Sequence, residues 1–407
     1  MSAPGRHVVI VGAALAGTKT AQALRALGFE GAITLIGAEA ELPYDRPPLS
    51  KDILKAGWSA GSADAVRLAS EQELGELAIA LRLGTAATAL DTDAKTVRLA
   101  DDTEVAYDVL VVATGAKARP SPWRPASGVY QLRTLEDARA IADRLGRGGV
   151  LAVVGGGFIG TEIAAAARSR GCDVVVIDPI PEPMTRLVGP EVAGSLVELH
   201  RRNGAQTRFG VGVVSIEGTE GALEVALADG EVLSADAVVV GIGSMPNTEW
   251  LTGSALTVDN GVIADEYLRA VGVDDVYVLG DVARWPHPGR GELVRAEHWT
   301  NASDQARYVA EAIVRGATDP YQPTDYVWSD QYDWKVHTVG WRDAAGSSIV
   351  IGDLAEDGRV AVVHADADGI ACGAVTVNWV RVLNQLRRLL ADGGTAEQIV
   401  EQIRARV

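Results

Sequence analysis

Cysteine is nearly missing from this chain of 407 residues: Cys172 and Cys372 stand alone, in opposite halves. No CxxC and no metal-ligand spacing occurs, which speaks against a local redox disulfide and against a resident metal. An iron–sulfur cluster built into the chain is excluded too, because it needs four thiolates or a two-histidine variant. Both cysteines lie among small and apolar residues and read as buried structural thiols. Long apolar runs are also absent; none reaches the ~18 residues that span a bilayer. The opening segment Met1–His7 is short and polar and shows no signal-peptide pattern. A soluble, cytoplasmic protein without a membrane partner is expected. Basic residues are outnumbered, 37 Lys and Arg against 54 Asp and Glu, for a net charge of −17. Such a surface repels nucleic acid and anionic lipid, so neither is expected as a partner.

What is present is a repeated motif. Val8–Val11 leads into Gly12-Ala13-Ala14-Leu15-Ala16-Gly17, and Ala152–Val154 leads into Gly155-Gly156-Gly157-Phe158-Ile159-Gly160. Each follows a β-branched apolar run and opens an Ala-rich stretch, the strand–turn–helix context of a dinucleotide-binding fingerprint. The glycines allow a tight turn and close approach of backbone to a pyrophosphate, and the helix N-terminus presents free N–H groups to its charge. Two such turns imply two dinucleotides, with electrons passing between them.

The rest of the chain follows the same duplication. Strands are expected at Ala32–Ile36 and Asp173–Ile177, and helices at Thr20–Leu27, Thr161–Arg170 and Glu297–Ile313. Antiparallel strands are expected around 80–110 and 211–232. The buried runs ending at Ala113-Thr114-Gly115 and Gly241-Ile242-Gly243 match one another. Between Leu42 and Lys51, three prolines within six residues argue against helix and for a rigid loop. Past Pro320, three tryptophans (Trp328, Trp334, Trp341), read first as packing residues, and a basic closing helix at Arg381–Leu390 suggest a smaller α+β domain. The fold class expected is α/β: two Rossmann-type dinucleotide-binding domains of glutathione-reductase type plus a small α+β C-terminal domain. The division expected is 1–110 with 246–321, then 111–245, then 322–407.

Several side chains carry chemistry. An acid about 20 residues after such a turn bonds the adenosine ribose. Glu39 fills that role for the first turn and Asp178 for the second; an acid there repels a 2′-phosphate, which favours NADH, although Arg186 is close by. Asp281, after Gly280 at a strand end, is placed to bond a polyol chain, or to cap the next segment. Lys51 ends the proline loop, and Glu162 lies in the first turn of the second fingerprint helix. Facing domains would bring both to where the two dinucleotides meet, where the lysine would stabilise negative charge on a reduced flavin. Their plain alternatives are a solvated loop lysine and a helix-start acid.

The segment Pro43-Tyr44-Asp45-Arg46-Pro47-Pro48-Leu49-Ser50-Lys51 resembles the hallmark loop of the FAD-dependent NADH:ferredoxin reductases, the putidaredoxin reductase and aromatic-ring dioxygenase reductase family. Leu132–Ala138, Gly155–Glu162, Pro246-Asn247, Gly280–Ala283, Glu297–Ala302 and Trp328–Tyr332 extend the resemblance in order along the chain. It implies that Gly12, Gly17, Glu39, Arg46, Lys51, Ala87, Arg133, Asp281 and Trp299 line FAD. Gly155, Gly157, Gly160, Glu162, Asp178 and Gly243 would hold NADH. Leu15, Ala16, Ala38, Ala113, Thr114, Gly115, Phe158, Ile159, Gly280 and His298 complete the cofactor contacts. Lys51, Glu162 and Trp328 would serve catalysis, Trp328 on the ferredoxin side of the flavin. The sequence departs from the family at Ala14, in place of the middle glycine, and at Asn378-Trp379 in the partner-docking region.

The function implied is a flavoprotein oxidoreductase. It would pass electrons from NADH through FAD to an external [2Fe–2S] ferredoxin that feeds a cytochrome P450 or Rieske oxygenase, working as a monomer or homodimer. Two alternatives share the cofactor residues: reduction of a small molecule (quinone, radical or oxygen), and a non-catalytic NADH-sensing flavoprotein. Related disulfide and peroxide reductases are disfavoured because no cysteine follows Glu39.

Overall fold

β-branched runs with every residue buried make the centres of two parallel sheets. A computed structural model describes residues 5–406, which divide into two compact units. One holds residues up to 45, 63–117 and 244–324; the other holds 46–62, 118–243 and the chain from 325 onward. The opening segment, expected to be short and polar, lies partly outside the described residues.

In the first unit the strand His7–Val11 pairs in parallel with Ala32–Ile36 on one side and with Val109–Val112 on the other. Ile79–Arg82 and Val276–Val278 form the edges of this five-stranded sheet. Val8, Val9, Ile10 and Val109–Val112 are buried almost completely. That is how strands covered by helices on both faces read, apolar without alternation. The antiparallel strands Ala87–Asp91, Thr96–Leu99 and Glu104–Ala106 lie beside it.

The second unit repeats the plan. Val150–Val154 pairs with Asp173–Asp178 and Ala237–Val240, and Gln206–Phe209 and Val129–Tyr130 complete the sheet. An antiparallel sheet of five strands follows, in the order 326–331, 334–340, 371–377, 359–365, 348–353. Its one face meets Leu196 and Leu199 of the helix Pro190–Arg202 through Trp334, Val336, Val362 and Val375. Its other face packs on the helices Val380–Asp392 and Ala396–Arg404.

Several sequence expectations need correction. The proline segment is not free of helix: Pro47–Ser50 forms one 3-10 turn. Proline is tolerated in a first helical turn, where its missing N–H has no partner to lose. The first helix starts at Leu15, not Thr20, because the fingerprint glycine Gly17 lies inside it. The basic helix at 380–392 is not the last; a Thr395 capping box starts another. Cys372 is only half-buried, unlike Cys172. Trp334 is buried as a packing residue, whereas Trp328 and Trp341 keep part of their surface exposed. Trp379 is buried, with the Arg359 guanidinium over its ring, and belongs to the core.

Candidate functional site

The two fingerprint turns are built alike from the backbone up. Gly12 N–H donates to the Ile36 carbonyl at 2.8 Å, and Gly155 N–H to the Ile177 carbonyl at 2.8 Å. Both glycines have positive φ, +118° and +115°, a region that L side chains rarely enter. A Cβ on Gly12 would overlap the Ala113 carbonyl, and one on Gly155 the Gly241 carbonyl. Gly17 and Gly160 are forced for another reason: a methyl on either would overlap the carbonyl oxygen of the first glycine of its own turn. The middle position differs. Gly157 has nothing within 4 Å of where a Cβ would stand, and its φ of −77° suits any residue. Ala14, its counterpart, has φ −90°, so alanine fits the local backbone.

Neither fingerprint helix has a side-chain cap at its N-terminus. Elsewhere Ser70, Thr134 and Thr395 each make a full capping box. Such a cap is worth about 1 kcal/mol; its absence leaves N–H groups open for an anion.

The acids after each turn are held differently. Asp178 is buried and accepts from Gly156 N–H and Ile180 N–H, at 2.7 and 2.8 Å. That fixes its carboxylate against the second turn. Glu39 is half-buried and accepts from the Tyr44 hydroxyl. In the first unit Ala113 lies against Gly12, and Ala16 against Gly280, whose N–H donates to Gln305 Oε1 at 2.7 Å. Asp281 therefore stands near the start of the first fingerprint helix, inside a 3-10 turn. Thr114 exchanges hydrogen bonds with Asn247, next to Gly115. Trp299 Nε1 donates to Asp45 at 2.7 Å, and His298 is the residue before that helix. Ala38 is exposed, while Leu15 and Ala87 are half-buried.

In the second unit the Arg46 guanidinium donates to the Arg133 carbonyl, so these two residues meet. Phe158 and Ile159 open the fingerprint helix, Ile159 exposed at 47%. Gly243 is exposed with φ +102°, and its carbonyl accepts from Arg119 N–H.

Lys51 and Glu162 touch. Lys51 Nζ lies 2.8 Å from Glu162 Oε2, and the two residues are 8% and 2% exposed. Lys51 is therefore not a solvated loop lysine, and Glu162, the fifth residue of the helix Phe158–Ser169, lies beyond the first turn where it was expected. A buried charge needs its partner and hydrogen bonds to remain charged, and Glu162 has them. Ser50 Oγ donates to Oε2 at 2.5 Å and Ser329 Oγ to Oε1 at 2.6 Å. Trp328, next along that strand, stacks on Tyr326 at 5.9 Å. Sequence reasoning overlooked Ser50, Ser329, Gln331 and His200. The signal was the period-2 spacing of Ser329 and Gln331, which puts both on one strand face.

Comparison with known proteins agrees with this construction. Residues 6–306 match the family described as pyridine nucleotide-disulphide oxidoreductase, and residues 326–400 the one described as reductase C-terminal. Rhodocoxin reductase of Rhodococcus erythropolis is 38% identical, the match covering 94% of this chain and 89% of that protein. The ferredoxin–NAD(+) reductase component of the anthranilate 1,2-dioxygenase system of Burkholderia cepacia is 40% identical, covering 95% and 94%. A chain of the solved covalent putidaredoxin reductase–putidaredoxin complex is 34% identical, with a TM-score of 0.89 and coverage of 96% and 94%. Duplicated turns on duplicated sheets, followed by the matching C-terminal sheet, leave one assignment: the chain belongs to the pyridine nucleotide-disulphide oxidoreductase family.

Proposed function

We infer that this protein is an NADH-dependent, FAD-containing reductase that passes electrons to a ferredoxin. The observation that carries the reading is the pair of glycine turns that repeat each other position for position, Gly12 and Gly155 at positive φ against a neighbouring carbonyl, Gly17 and Gly160 against their own turn, each ahead of a helix with an uncapped N-terminus. The relatives named above as ferredoxin and rhodocoxin reductases point to the same acceptor class. A [2Fe–2S] ferredoxin is the acceptor proposed, since this chain has no cysteines for a cluster of its own. A monomer or homodimer is the working form proposed.

The residues fit both cofactors. The open side of Gly157 leaves room for a pyrophosphate, and Asp178 retains lone pairs for ribose hydroxyls while its backbone bonds hold it still. Gly12, Gly17, Glu39, Arg46, Asp281 and Trp299, within residues 1–110 and 246–321, are proposed for FAD, joined by Arg133 from outside those ranges. Gly155, Gly160 and Gly243 join Asp178 for NADH within 111–245. When bound, the flavin supplies the exchange between a two-electron donor and a one-electron acceptor. The protein's share is orientation and electrostatics. Lys51 offers a buried positive charge, and Glu162 keeps it in place. The C-terminal part, 322–407, is proposed to receive the ferredoxin. In its last 27 residues Arg381, Arg387, Arg388, Arg404 and Arg406 stand against three acids, a local basic excess, and Arg387 lies 4.8 Å over Tyr326, beside Trp328.

Anaerobic addition of NADH to the purified yellow protein is expected to bleach the flavin absorbance. Subsequent addition of a [2Fe–2S] ferredoxin restores it, at a rate that falls with added salt. A spectrum that NADH leaves unchanged defeats the reading.

A further inference from the structure

Glu162 is the end of a longer chain of buried polar side chains. Ser329 Oγ, which donates to Glu162, receives Gln331 Nε2 at 3.2 Å. Gln331 Oε1 lies 2.9 Å from His200 Nε2, and the Tyr332 hydroxyl lies 3.3 Å from His200 Nδ1. Ser329, Gln331 and His200 are 0%, 0% and 3% exposed. They come from one strand and from the helix Pro190–Arg202, so tertiary packing rather than local sequence assembles them.

The direction of every bond follows from the first. A carboxylate engaged by an ammonium can only accept, so Ser329 must spend its one proton on Glu162. Ser329 can then only accept from Gln331, which must present its NH2 there. The Gln331 carbonyl is thereby left facing His200, and His200 must hold its proton on Nε2. Nδ1 is then the acceptor for the Tyr332 hydroxyl. Four side chains thus donate one way, from Tyr332 through His200, Gln331 and Ser329, to the Glu162 carboxylate.

We propose that Ser329, Gln331 and His200 are positioning residues for the Lys51–Glu162 pair, a one-way hydrogen-bond chain that keeps the carboxylate charged and in a single orientation. The proposal rests on the reading that this pair stands at the reacting end of the nicotinamide. Hydrogen bonds to the charged form of an acid favour that form, and bonds in a chain polarise one another. His200 suits the role because burial pushes its ring toward the neutral form, only partly offset by the Gln331 bond. The charged group facing Glu162 is Lys51, from the proline loop. His200 faces Gln331 and Tyr332, and Arg168 acts on the Tyr332 phenol. Tyr332 has φ +54°, a costly conformation for a bulky residue. Its ring packs edge-on to His200 at 5.1 Å, so the relay also holds the hairpin tip.

The test uses two readouts on the holoenzyme. Nitrogen-15 NMR of the histidine rings should show His200 as the neutral Nε2–H tautomer, and Ser329→Ala should mix its tautomers. The pH profile of flavin bleaching by NADH should show its acid limb moved up by roughly 0.5–1 pH unit in H200L and S329A, the worth of one lost hydrogen bond. H200Q, which keeps a donor toward Gln331, should restore the wild-type limb. An Nδ1–H or charged His200 overturns the proposal. So does an acid limb that S329A and H200L leave in place, or one that H200Q fails to restore. A wild-type protein that NADH does not bleach would instead defeat the assigned function, and the ring spectrum would still decide the direction of the chain.

Discussion

The two glycine turns share their strand registers, first-glycine conformations and close contacts, yet their sequences differ, and three of the differences stand out. The middle residue is Ala14 in one and Gly157 in the other. The acid after the following strand is Glu39, held by a tyrosine hydroxyl, against Asp178, held by two backbone N–H groups. Two residues beyond the last glycine, Lys19 stands where Glu162 stands, half-buried against 2% exposed. Positions dictated by the backbone are therefore the same in both, and the positions proposed to face a ligand or the chemistry have diverged. The motif as such says that a nucleotide is held; the divergent residues say which one and to what end.

If that division is sound, the shared glycines fail equally when replaced. Gly17→Ala and Gly160→Ala each drive a methyl onto a backbone carbonyl that cannot retreat. Each should cost more than about 4 kcal/mol or prevent folding. Urea unfolding of the two variants checks this. A mild loss in one and collapse in the other breaks the equivalence.

Much of this was legible in the sequence, and the reason is periodicity. Runs such as Val109–Val112 admit one reading, and both glycine turns declare themselves by spacing. Ala32–Ile36 falls where expected, and the antiparallel strands expected around 80–110 run from Ala87 to Ala106, whereas Ile79–Arg82 pairs in parallel with Ala32–Ile36. What escaped was set by tertiary packing. Spacing alone puts Ser329 and Gln331 on one strand face, but Glu162 and a distant helix give them and His200 their meaning. The Pro47–Ser50 turn escaped because proline was weighed as a breaker rather than as a first-turn residue.

The divergent position after the last glycine sharpens the comparison. Lys51→Met leaves the buried Glu162 carboxylate with hydroxyl donors alone. Removing one partner of a buried pair typically costs about 3–4 kcal/mol. The same change at half-buried Lys19 should cost less than about 1 kcal/mol. Thermal unfolding of K51M and K19M compares them; equal losses would mean that burial does not separate the two positions.

The second unit also carries a sheet with no counterpart in the first, and acid should expose it. His364, 2% exposed in that sheet, is pushed down to about 4 by burial, with Glu191 opposing the shift. A histidine held neutral in the folded state takes its proton in the unfolded chain first. Stability is therefore full above the ordinary value of about 6.5 and falls as pH drops from there toward 4, by up to about 3 kcal/mol. His364→Asn, which retains a partner for Ser348, should flatten that loss. Hydrogen exchange at pH 7 and pH 5 should show the strand Arg359–Ala365 losing protection before His7–Val11. Uniform loss across both units would remove His364 as the cause.

The smallest expected effect is the most informative about ligands. Gly157→Ala places a methyl where the protein has nothing within 4 Å, on a backbone that tolerates it. The unfolding midpoint should move by less than about 0.5 kcal/mol. If the proposed pyrophosphate site is right, the ligand needs that space, so NADH affinity should fall about tenfold, the cost of displacing a close charge-assisted contact. Ala14→Gly is the reverse experiment, and it should change FAD retention by less than about threefold, because alanine already fits the backbone there at φ −90°. A Gly157→Ala protein that binds NADH as tightly as wild type would place the pyrophosphate away from this turn. The two middle positions would then differ by history rather than by function.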